Sequence, residues 1–113
     1  MRWMLPVGLA LAACSKGPEA DLPSISQARS LGAEWALVNE QANAGKLTKT
    51  YVAAMRKSIR EQLQTRASSL TQPRSPYGDE IAALMAEPDS AAPNALRNHA
   101  GKLKQIEDSL ESA

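Results

Sequence analysis

The sequence predicts an all-α fold, an αα-hairpin extended to a small three- or four-helix bundle after a flexible tether. Three observations predict it. Apolar residues recur at spacings of three and four through several separate segments, the period of a helix face. Start and stop signals bracket those segments, with Ser24, Thr48, Ser75-Pro76 and Pro93 at the starts and Gly45 and Pro88 past the ends. No strand-like alternation, internal repeat or low-complexity tract interrupts this pattern.

Residues 14–23 hold two prolines, a glycine and three charges, which reads as a flexible tether. The first helix is expected from Ser24, where Ser24-Ile-Ser-Gln27 fits a capping box. Ile25, Ala28, Leu31, Trp35, Val38 and Ala42 then fall on one helical face. Asn43-Ala44-Gly45 supplies the stop, because glycine tolerates the left-handed conformation past a helix end. Thr48 caps the second helix, with Leu47 stapling against Val52. Tyr51, Val52, Met55, Ile59, Leu63 and Leu70 form its stripe, and Trp35 and Tyr51 are expected to pack across the hairpin. Ser75-Pro76 starts a shorter third helix through Ile81, Leu84 and Met85. Pro93 starts the last, which runs to about Leu110 with Leu96, His99, Leu103, Ile106 and Leu110 along a seam.

The N-terminal segment carries a different message. One positive charge, Arg2, precedes a short apolar run from Trp3 to Leu11, and a polar stretch follows Cys14. A charged start, an apolar middle and a small-residue cleavage site make an export signal. Leu11-Ala12-Ala13-Cys14 resembles the lipobox of bacterial lipoproteins: a leucine, two small residues and a cysteine, here the chain's only one. The resemblance covers residues 1–14. It implies cleavage by signal peptidase II between Ala13 and Cys14, diacylation of the Cys14 sulfur (palmitate or a similar chain) and acylation of the new amino terminus. One acyl chain binds a membrane marginally, whereas two anchor it stably. Ser15 in place of an aspartate after the cysteine implies, in a Gram-negative host, an outer-membrane protein facing the periplasm. The expected organisation is therefore a signal peptide at 1–13, the lipidated cysteine and tether at 14–23, and a helical domain at 24–113.

Composition narrows the function classes. Without residues 1–13 the chain has 100 residues, enough for one domain, and 12 basic against 12 acidic side chains. That balance argues against a nucleic-acid binder, which concentrates a basic excess on one face. A single cysteine excludes an intramolecular disulfide even in an oxidising compartment. With no Phe, stability must come from a small aliphatic core.

The clearest chemical feature is the second helix. Lys46, Lys49, Arg56, Lys57, Arg60 and Arg66 face only Glu61 between residues 46 and 66. At about 100° per residue, Lys49, Arg56 and Arg60 lie within roughly 40° of one another. Lys57 adjoins them. Such a face suits anionic headgroups, an acidic partner or a cell-wall polymer, or else pairs with Glu34 or Glu40 on the neighbouring helix. His99, the only histidine, reads as a packed structural group, since no ligand-spaced cluster accompanies it for a metal. Asp79-Glu80 and Glu107-Asp108 are sequence neighbours that diverge around a helix, so neither is a ready-made catalytic dyad. Gly45-Lys46-Leu47-Thr48 fails as a phosphate loop, which needs Ser or Thr directly after the lysine.

The expectation is a lipid-anchored, non-catalytic adaptor or structural subunit of the bacterial cell envelope. Lys49, Arg56, Lys57 and Arg60 would meet an envelope protein or anionic surface, with no catalytic residue, cofactor, metal or nucleic acid. The alternatives are an amphipathic helical protein acting on the membrane surface and a small enzyme inhibitor or hydrolase.

Overall fold

The computed structural model describes residues 17–112, so the lipobox and Cys14 lie outside the described residues. Within them the chain is all-α and forms a small bundle: α1 (Pro18–Asn43), α2 (Lys49–Ser68), α3 (Pro76–Met85) and α4 (Pro93–Glu111). No strand occurs among the described residues.

The start of α1 corrects the expected tether. The helix begins at Pro18, six residues before Ser24, so residues 18–23 are its first turns. Pro18 occupies the helix start, where a missing N–H costs nothing and φ is preset. Glu19 and Asp21 in the first turn complement the helix dipole. Pro23 lies inside the helix and removes one backbone hydrogen bond, a conflict that tertiary contacts of Asp21 offset. Ser24 is consequently no cap. Its hydroxyl sits 3.1 Å from that of Ser69 on the neighbouring α2 end.

The other boundaries follow the sequence signals. Gly45 has φ 72°, and the Gly45 and Lys46 amides donate to Ala42 and Gln41, closing α1 with a Schellman pattern. The Thr48 hydroxyl accepts from the Tyr51 amide at 3.1 Å. Ser75 accepts from the Gly78 amide at 3.1 Å, with Pro76 in the first helical turn. Gly78 is obligatory, because a Cβ there would stand 2.2 Å from the Pro73 carbonyl oxygen.

α1 is the central element and packs against the other three helices. It runs antiparallel to α4, since Arg29 pairs with Glu107 at 2.8 Å and Glu40 with Arg97 at 2.9 Å. It is also antiparallel to α2 across the hairpin, which places the α1 start beside the α2 end. Ile25, Trp35, Ile59, Leu63, Ile81, Leu84, Leu96 and Leu103 are fully buried where these faces meet. Each such side chain contributes about 1.5–3 kcal/mol by leaving water. Tyr51 does not join Trp35: it is 50% exposed, whereas Tyr77 of α3 is buried in the core. At the first turn of α2, Tyr51 faces outward while Val52, one position on, faces the core.

Candidate functional site

The basic face of α2 is the surface on which the sequence placed its contacts. The structure brings Lys49, Arg56, Lys57 and Arg60 together around two adjoining grooves. One, of about 350 Å³, is lined by Ala53, Arg56, Lys57, Arg60, Glu61 and Asp89. The other, of about 220 Å³, is lined by Ala42, Leu47, Lys49, Val52, Ala53 and Arg56. Ala53 and Arg56 belong to both, so the grooves form one depression with cations along its length.

These four cations do not stand alike. Arg60 is consumed internally. Its Nε donates to the Asp89 carboxylate, Nη1 to the Met85 carbonyl at 3.0 Å and Nη2 to the Glu87 carbonyl. Its guanidinium also lies 4.8 Å from the Trp35 ring centroid, a cation–π contact. Trp35 Nε1 donates to the Asp89 carbonyl at 3.0 Å, and Asn39 Nδ2 to the carbonyls of Asp89 at 3.0 Å and Ala91 at 2.8 Å. Arg56 Nε in turn donates to Asn39 Oδ1 at 3.0 Å. Side chains of α1 and α2 thus satisfy the last carbonyl of α3 and three carbonyls of the irregular segment joining α3 to α4, groups that would otherwise be costly to bury. Arg56 spends only its Nε here. Lys49 and Lys57 enter no ion pair among the described residues, and neither Glu34 nor Glu40 reaches these cations.

Two polar clusters went unseen in the sequence. His99 on α4 is half-buried between two carboxylates, Nδ1 facing Glu80 of α3 and Nε2 facing Glu87 at 2.7 Å. Both ring nitrogens must carry hydrogen to satisfy two carboxylates, which requires the imidazolium. Burial opposes that charge, but the two glutamates outweigh it and raise the His99 pKa above its ordinary 6.5. Glu80 lies on the helix before His99 and Glu87 just after that helix, and no local spacing marks either as a partner.

The other cluster is Asp21, 1% exposed. Its carboxylate accepts from the Thr71 amide at 2.8 Å, the Thr71 hydroxyl at 2.9 Å, the Gln72 amide at 3.2 Å and the Tyr77 hydroxyl. Burial disfavours its charge, yet the Tyr77, Thr71 and Gln72 donors prevail and hold its carboxyl below the usual 3.8. Burial and the adjacent Asp21 push the Tyr77 phenol up. Pro18 followed by acids was the overlooked start signal that leads to Asp21.

Two further acids are used within the fold: Glu107 pairs with Arg29, and Asp108 with Lys104 one turn away. Among the described residues no cluster of His, Cys, Asp and Glu is arranged to hold a metal ion. No helix among them is long and apolar enough to cross a membrane. No protein-family model, curated protein or solved structure matches the chain.

Proposed function

We propose that this chain is a lipid-anchored protein of the bacterial envelope, acting as a non-catalytic adaptor or structural subunit that meets its partner through the α2 groove. The carrying observation is Leu11-Ala12-Ala13-Cys14 placed directly before a helical domain whose first helix starts at Pro18. Acylation at Cys14 supplies the membrane attachment, and in a Gram-negative host Ser15 directs the protein to the outer membrane, facing the periplasm. The adaptor reading is supported by how the polar groups are spent. Both nitrogens of His99 are occupied by carboxylates, leaving neither to take a proton from a substrate. Arg60 and Asp21 hold segments together, while Lys49 and Lys57 remain turned to solvent.

Metabolic labelling with palmitate tests this reading. The expected result is a labelled, membrane-associated protein whose label disappears in Cys14→Ala. An unlabelled wild-type chain would discard the lipid anchor.

A further inference from the structure

The geometry points to an acidic peptide segment of a partner protein, bearing an apolar side chain between its carboxylates, as the occupant of the α2 groove. This inference rests on the adaptor reading above and names the chemistry of its partner.

Charge supplies the first argument. Lys49, Arg56, Lys57 and Arg60 line the depression against Glu61 and Asp89, and Arg60 already neutralises Asp89. The cations still without an acid are Lys49 and Lys57, together with the two terminal nitrogens of Arg56. They flank the depression on both sides of Ala53, so a chain lying along α2 meets a cation near each end. Carboxylates answer that pattern, and complementary charge of this kind sets orientation and speeds encounter.

Shape supplies the second. Ala42, Leu47, Val52 and Ala53 line the Lys49 end, and about 220 Å³ is room for one aliphatic side chain between the cations. A bilayer surface is flat on this scale and meets such a concavity less fully than a peptide side chain does. Position agrees with shape. Cys14 lies only four residues before Pro18, a reach of at most about 14 Å, and the α1 start sits beside the α2 end at Ser69 and Thr71. The groove starts at the other end of α2, whose length is about 30 Å, and reaches only to Glu61. The anchored end and the groove therefore lie toward opposite ends of the hairpin.

Anisotropy of a dye-labelled peptide of alternating glutamate and leucine, titrated with the acylated full chain in nanodiscs, tests the inference. Saturable binding that weakens with added salt is expected. Lys49→Glu with Lys57→Glu should weaken it about tenfold, and Lys49→Gln with Lys57→Gln should weaken it less. Arg66→Glu with Arg74→Glu, the same charge change toward the other end, should leave affinity unchanged. No binding, equal loss in both charge-reversed pairs, or indifference to Lys49 and Lys57 would overturn the proposal. So would a Cys14→Ala chain that binds phosphatidylglycerol vesicles through these lysines and ignores the peptide. Palmitate incorporation, read separately, keeps failure of the groove distinct from failure of the anchor.

Discussion

His99 is where chemistry at the scale of one residue is most exposed to conditions. Its folded pKa lies above 6.5 because Glu80 and Glu87 hold the imidazolium. A group of this kind adds stability that is fully present below the unfolded pKa and is lost as pH rises through the folded one. Denaturation of wild type and His99→Gln, followed from pH 6 to pH 9, should show their difference largest at the acid end and shrinking toward the alkaline end. The cost of His99→Gln at pH 6 should be about 1.5–3 kcal/mol, the range for charge-assisted hydrogen bonds. A gap that stayed constant across that range would sink this account. Reading such residues from sequence has a physical limit. His99 was legible as half-buried from its place on the seam, but its partners come from a different helix and from the following loop. Asp21 shows the limit more sharply, because its donors are met 50 to 56 residues further on and no local period encodes that meeting.

At the level of elements, local signals did most of the work. Gly45, Thr48, Ser75-Pro76 and Pro93 act within a few residues, so helix ends governed by them were readable in advance. The α1 start was readable only in part, because Pro18 followed by acids is a start signal but Pro23 argues for a loop unless the buried Asp21 contacts are known. The basic face was half legible for the same reason. Its cations do share one side of α2, but whether each meets solvent or a carbonyl depends on where the segment after α3 falls. For Arg60 that segment decides everything. Lys keeps the charge opposite Asp89 but has one nitrogen where the guanidinium offers a fork to three acceptors. Arg60→Lys should therefore cost about 1–3 kcal/mol in chemical denaturation and speed amide exchange across residues 86–92. Wild-type stability and exchange in that variant would show that the segment holds itself in place.

Across the whole molecule, the sequence specified the all-α class and the order of helices but not their arrangement. Which helix sits centrally depends on residues such as Gly32, where an added Cβ would stand 3.2 Å from the Leu84 side chain and 3.6 Å from that of Ala100. With α1 in that central position, its first turn is also a cornerstone, tied through Asp21 to the α2 end and to α3. That early start bears on shedding. Proteases bind their substrates as extended strands, and a helix tied down in this way has to unwind before it can enter a cleft. With Cys14 acylated as proposed, only Ser15, Lys16 and Gly17 precede the helix. Limited proteolysis of membranes carrying the protein should accordingly release no soluble domain at digestion levels that cut an insertion of ten glycine and serine residues after Lys16. Equal release from both would mean that the first turn of α1 opens freely. If Cys14 is acylated as proposed, a helix that begins at Pro18 leaves a protease little extended chain between lipid and domain, and release by cleavage within α1 would require its first turns to unwind.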